Sequence, residues 1–322
     1  MFNKKHGYGL LIVLVVAFCA LFILSLYAQD QVKLEDLTVS QYSAAVLSGT
    51  LANKKVDEAS GMTASRIHDN VLWLINDSGG AAELYAAGTD GADLGTYPIT
   101  GATCRDWEDI ASFTLDGVPY LLIAETGDND SVHERCILYF IKEPDVKKAQ
   151  ETGMYNVSVD YTLVFQYSDG PRDVESVAVD VANKLILLLS KRTNPPVLYS
   201  LPLDLTTPPG VQIAQRITTV PVLPQPTKEE LEMKKRYGVN GVQPVAMDIS
   251  PDGQFAVVLT YTKAFLFPFK TDWQTTFTTI PQLIRTPLLK QSESLCFAQD
   301  GRTLYMTSEK VPTPLYRLTL KE

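Results

Sequence analysis

From residue 58 onward, hydrophobic and polar positions alternate in short runs, the period-two signature of half-buried β-strands. Five segments repeat one plan: an acidic residue, an alternating strand, a turn, and a second strand that ends in polar residues. They read EASGMTASRIHDNVLWLINDSG, EDIASFTLDGVPYLLIAETGDN, ESVAVDVANKLILLLSK, VAMDISPDGQFAVVLTYT and ESLCFAQDGRTLYMTSEK, beginning at Glu58, Glu108, Glu175, Val245 and Glu293. Asp252-Gly253 and Asp300-Gly301 are dipeptides that tight hairpins favour. A third strand follows each pair (AELYAAG, CILYFIK, VLYSLPL, AFLFPF and PLYRLTL), and a fourth is readable after the first four, as in DLGTYPI and YTLVFQY. The last unit lacks a fourth strand. The segment SAAVLSGTL, residues 43–51, precedes the first unit and is available to supply it. The expected fold is therefore all-β: a single β-propeller of five blades, closed by this N-terminal strand. Six blades remain the alternative if an insertion hides a further unit. A β-sandwich would need no such regular unit.

Ring topology places the polar positions. The innermost strand of each unit starts on one face of the disc, and the second strand returns to it. The starts (Glu58, Glu108, Glu175, Val245 and Glu293) and the second-strand ends gather around one mouth of the central channel. Those ends are Asn76-Asp77, residues 125–129, Ser190-Lys191, Thr260-Tyr261 and Ser308-Glu309. Two insertions interrupt the repeat. Residues 144–160 fall between third and fourth strands, on the opposite face. Residues 225–243 precede the fourth unit on the acidic face, where TKEELEMKKRYG carries a capping box (Thr227, Glu230) and a glycine stop (Gly238), predicting a short helix.

The start of the chain is different. Lys4, Lys5 and His6 precede an uncharged run at residues 10–28, nineteen residues long. That is longer than the roughly 7–15 residues of a secretory core and near the ~20 that span a bilayer. Residues 1–29 are read as an uncleaved anchor or a removed signal peptide, and residues 30–322 as the propeller domain. Both readings put the domain outside the cytoplasm, periplasmic or at the cell surface. A formal net charge of −9 disfavours nucleic acid as a partner. Beyond the leading segment only Cys104, Cys136 and Cys296 occur, in no zinc spacing; Cys104 and Cys136 are either joined by a disulfide or separate thiols.

The motifs LWLINDSGG, RDWEDIA, ETGDND, SDGPRDVESVAVD, DISPDG and TLYMTSEK occur in this order. Together they resemble a family of bacterial secreted propellers in which NDSG, DWEDIA, GDN and DGP-x-D-x-E recur, over roughly residues 58–318. More distantly the chain is similar to gluconolactonase/regucalcin-type and esterase-like phytase propellers. That similarity implies a divalent ion, calcium, at the channel mouth, and carries over to Glu58, Asp77, Glu108, Asp128, Asn129, Glu175 and Glu293. Calcium takes six to eight oxygen ligands, which such residues supply. The competing expectation is that each glutamate accepts backbone hydrogen bonds from a neighbouring blade and fixes the ring. Arg105 and Lys191 either bind an anionic ligand or neutralise carboxylates, and Glu309 is a further ligand-binding candidate. Trp107 is expected to pack between blades. No Gly-x-Ser-x-Gly elbow and no phosphate-binding Gly loop is present.

Three functions follow. The first is an extracytoplasmic module that binds a small molecule or a protein through its acidic face. The second is a metal-dependent hydrolase in which a glutamate serves as general base to a calcium-bound water. The third, a quinone-dependent sugar dehydrogenase, is disfavoured by the scarcity of histidine.

Overall fold

The computed structural model describes residues 32–207, 210–227, 231–232, 240–287, 289, 291–309 and 311–321. The uncharged run at residues 10–28 and most of the expected helix at 227–238 lie outside the described residues. Strand β1 (Val46–Thr50) comes first. Unit one holds β2 (Ala59–Ala64), β3 (Val71–Asn76), β4 (Glu83–Gly88) and β5 (Asp93–Thr100). Unit two holds β6 (Trp107–Leu115), β7 (Val118–Glu125) and β8 (Cys136–Lys142), then helix α1 (Val146–Thr152), the two-residue β9 (Val157–Ser158) and β10 (Tyr161–Tyr167). Unit three is β11 (Val174–Asp180), β12 (Leu185–Ser190), β13 (Val197–Pro202) and β14 (Val211–Thr219). Unit four is β15 (Pro244–Ile249), β16 (Phe255–Thr260), β17 (Ala264–Pro268), helix α2 (Trp273–Thr278) and β18 (Gln282–Ile284). Unit five is β19 (Ser292–Phe297), β20 (Thr303–Ser308) and β21 (Pro314–Thr319), completed by β1.

Among the described residues the strands thus form five four-stranded units. Their first strands adjoin one another in the order β2, β6, β11, β15, β19 and back to β2. The sheets stand radially, as in a propeller. Buried side chains fall into five clusters, one between each successive pair of units, including the last with the first. Both faces of the inner strands are therefore buried. In β7, Leu121 and Ile123 enter the cluster shared with unit one, while Leu122 and Ala124 enter the cluster shared with unit three. This is why the second strands read as near-continuous apolar runs. Trp107 lies in the cluster between units one and two with its Nε1–H bonded to Thr103 O at 2.8 Å, a packing residue.

Closure follows the expected pairing. β1 runs antiparallel to β21, with Val46 opposite Arg317 and Thr50 opposite Pro314. Gly49 then abuts the β4–β5 turn of unit one: a Cβ built on it would lie 1.9 Å from Asp90 O. Only a glycine lets the closing strand lie flat against that turn. Two features were not legible in sequence. β10 and β14 pair in parallel, merging units two and three into one eight-stranded sheet, and β9 adds in parallel to β5.

Candidate functional site

Every inner strand opens with the same irregularity. The register against its partner slips at Ser60 in β2, Glu108 in β6, Glu175-Ser176 in β11, Val245 in β15 and Glu293 in β19. A bulge of this kind frees one residue from the ladder and re-aims its side chain. The positions two residues earlier are Glu58, Asp106, Asp173, Gln243 and Gln291, and those just after the second strands are Asp77, Thr126, Lys191, Tyr261 and Glu309. These three tiers ring one mouth of the channel.

The carboxylates cluster most tightly in units one to three. Oxygens of Asp77, Asp106 and Glu108 lie within 4.8 Å of one another, and so do those of Glu108, Asp173 and Glu175. Glu108 belongs to both groups. Gly127 borders the first: a Cβ there would sit 2.1 Å from Glu108 Oε1 and 2.4 Å from Asp106 Oδ2, so only glycine leaves room beside these oxygens. Cations compensate part of the charge. Lys191 Nζ donates to Glu175 Oε1 and lies 5.1 Å from the centre of the Tyr261 ring. Arg192 Nε stands 2.5 Å from Asp173 Oδ2, a charge contact without hydrogen-bond alignment. Arg105 Nε stands 4.0 Å from the buried carboxylate of Glu125. Both Arg105 and Lys191 thus face carboxylates, as neutralising cations do. Glu309 accepts a hydrogen bond from Gln291 Nε2 at 2.5 Å.

Other sequence candidates sit elsewhere. Glu58 is exposed, and the ring position of its unit is held by Ser60. Asp128 is buried, but its two oxygens accept Val132 N–H (2.9 Å) and His133 N–H (2.8 Å), folding the 128–133 loop onto itself. Asn129 is exposed and accepts from Arg192. Asp128→Ala should therefore cost about 1–3 kcal/mol, whether or not calcium is present. Urea unfolding with and without the ion checks this; a loss seen only with calcium would make Asp128 a ligand instead.

Ring-fixing does occur, and among the described residues two aspartates rather than the glutamates perform it. Asp109 Oδ2 in β6 accepts Val177 N–H of β11 at 2.8 Å and Met247 N–H of β15 at 3.4 Å. Asp248 Oδ2 in β15 accepts Phe297 N–H of β19 at 2.8 Å. Both aspartates lie deeper along the inner strands. Cys104, Cys136 and Cys296 are all free thiols. Cys104 borders the cluster between units one and two, and Cys136 lies in the cluster between units two and three. The segment leading into β6 and the third strand β8 thus send the two sulfurs to different inter-unit clusters.

Burial dominates the protonation of the site. Burial, reinforced by Glu175, Asp77 and Asp106, pushes Glu108 well above the usual carboxylate range. Burial, with Glu175 and Glu309, does the same to Glu293. Burial and the neighbouring Asp77 push Asp106 up to about 6, and burial brings Glu175 to about 8 despite Lys191. Burial opposes the charge on Lys191, but Glu175, Tyr261, Glu293 and Glu108 together hold it above its ordinary value. Because the folded state keeps protons that the unfolded chain releases near pH 4, these carboxyls lose stability as pH rises through their folded values. The metal-free protein should melt at progressively lower temperature as pH rises from about 4 through about 6, and Asp106→Asn should flatten that fall. A pH series of thermal melts on both proteins decides it; identical slopes would remove Asp106 as a cause.

No protein-family model matches the chain, and no curated protein sequence is similar to it. Among solved structures it is similar to the Neurospora crassa Pan2 WD40 domain, at 8% identity over 89% of this chain and 98% of that one, with a TM-score of 0.42. It is also similar to Kuenenia stuttgartiensis hydrazine synthase, at 11% identity over 82% of this chain and 72% of that one, with a TM-score of 0.39. The motif resemblance to secreted propellers therefore stands at the level of the fold, which the strand topology itself displays.

Proposed function

We propose that this protein is an extracytoplasmic binding module whose acidic channel mouth holds a hard divalent cation, calcium, as part of its ligand site. One observation carries the reading. At equivalent positions in two successive units the mouth leaves an oxygen buried without a hydrogen-bond donor among the described residues, Gln243 Oε1 and Gln291 Oε1, while Asp173 Oδ2 at the same position one unit earlier is met by the Arg192 guanidinium. Buried acceptors are ordinarily satisfied, and a mouth that offers acceptors beside clustered carboxylates suits a partner that brings only positive charge. Asp77, Asp106 and Glu108 would hold the ion, with Gly127 letting the oxygens of Asp106 and Glu108 close in against its backbone. Bound there, it would supply a fixed positive charge to which an anionic ligand group could attach.

The test is thermal. Calcium at a hundredfold excess over its dissociation constant should stabilise the purified domain by about 2.7 kcal/mol, and Glu108→Gln should abolish the gain. An unmoved melting temperature in protein free of divalent metal would sink the proposal. A metal-dependent hydrolase is the second reading. It is favoured by the second carboxylate group, Glu108, Asp173 and Glu175, which adjoins the proposed ion site through the shared Glu108. A panel of lactones and phosphoesters separates the two, since the binding module turns none of them over.

A further inference from the structure

We infer that the edge of unit four that carries helix α2 docks on a phospholipid bilayer, with the acidic mouth facing away from it. The inference rests on the reading of residues 10–28 as a retained anchor, and on the path of the chain that follows. Val32 and Leu34 pack against the cluster between units three and four, and Leu37 is buried within it. Residues 38–40 then run parallel to β18, the outermost strand of unit four: Leu283 N–H donates to Thr38 O at 2.8 Å and Ser40 N–H to Leu283 O at 2.9 Å. Strand direction gives the face. β15 starts at the acidic mouth and alternate strands reverse, so β18 runs towards the mouth from the opposite face. A segment parallel to it enters from that opposite face as well. The packed residues 32–37 accordingly lie at the far end of the rim, in the same cluster as Trp273 and Phe277 of α2.

The tether is short. Four residue steps separate residue 28 from Val32, and a fully extended chain covers about 14 Å over that interval. A retained run has to leave the bilayer within that distance of Val32, which packs against the same cluster as α2, and this draws the edge towards the headgroups. Ile280, in the link from α2 to β18, is 52% exposed and gives the edge an apolar contact. The mouth lies across the disc, where a soluble ligand reaches it without crossing the membrane surface.

The experiment uses the full chain reconstituted in phosphatidylcholine/phosphatidylglycerol vesicles that carry a headgroup energy-transfer acceptor. A donor dye is placed on Ile280→Cys or on Val132→Cys, both in a Cys19→Ser, Cys104→Ser background, the remaining Cys136 and Cys296 being buried. Val132 is exposed in the loop that follows β7 at the mouth. Transfer should be at least about twofold more efficient from 280 than from 132, given the reach of the tether. Equal transfer, or more from 132, overturns the orientation while leaving the anchor intact. Recovery of the chain in the soluble fraction, with mass spectrometry showing cleavage near residue 28, overturns the anchored reading and the docking with it.

Discussion

A chain lacking residues 32–51 should fail to fold as a stable monomer. The deletion removes β1 and with it, among the described residues, the only partner of β21 on its outer side. It also strips Leu37 from the cluster between units three and four, Tyr42 from that between four and five, and Leu51 from that between five and one. Each such loss costs about 2–5 kcal/mol in other proteins, against a total stability of about 5–15 kcal/mol. The edge of β21 would stand open to pairing with other chains. A single substitution probes the same seam. Gly49→Val drives a side chain into Asp90 O, with the clash on backbone rather than on a movable side-chain tip. It should lower the urea midpoint sharply, whereas the exposed neighbour Leu47→Thr should leave it nearly unchanged. Equal midpoints for wild type and Gly49→Val would show that the ring does not depend on this contact.

The second large effect is expected inside the channel. Asp109→Ala takes away the acceptor of Val177 N–H and of Met247 N–H, which belong to two different units, and of its own neighbour Ile110 N–H. Leaving buried amides unpaired costs about 1–3 kcal/mol each, so a loss of about 2–5 kcal/mol is expected. Asp109→Asn retains one acceptor oxygen and should recover part of it. Because Asp109 ties units two, three and four together, its loss should also raise hydrogen exchange in the inner strands of all three. An exchange increase confined to β6 would mean that the contact is local.

The sequence repeat disclosed the units because both faces of each sheet are buried, which leaves a strong alternating and apolar pattern in every strand. The mouth was legible for the same topological reason: strand direction alone put Glu108, Glu175, Glu293, Asp77 and Lys191 at one end. The register of the first unit was not. Aligning on acidity set Glu58 beside Glu108, whereas the hydrophobic residue two places after each bulge (Met62, Ile110, Val177, Met247 and Leu295) aligns Ser60 with Glu108. That signal was present, and it would also have brought Asp106, Asp173, Gln243 and Gln291 into one tier. Asp128 misled because a Gly-Asp-Asn turn looks the same whether its carboxylate faces an ion or its own backbone amides.

From residue order alone came the all-β class, the strand-turn-strand unit, closure by residues 43–51 and the end of the channel at which acids collect. All of these depend on periodicity and chain direction, which are properties of neighbours in sequence. The tertiary structure decided which carboxylates meet. It also divided their roles, with Asp109 and Asp248 pinning strands, Asp128 closing a loop, and Asp77, Asp106 and Glu108 grouped together, the last two packed against Gly127. Those assignments turn on one-residue bulges and on contacts between units far apart in the chain. A difference of a few ångströms there separates a carboxylate saturated by amides from one left to its neighbours, and no local pattern encodes that distance.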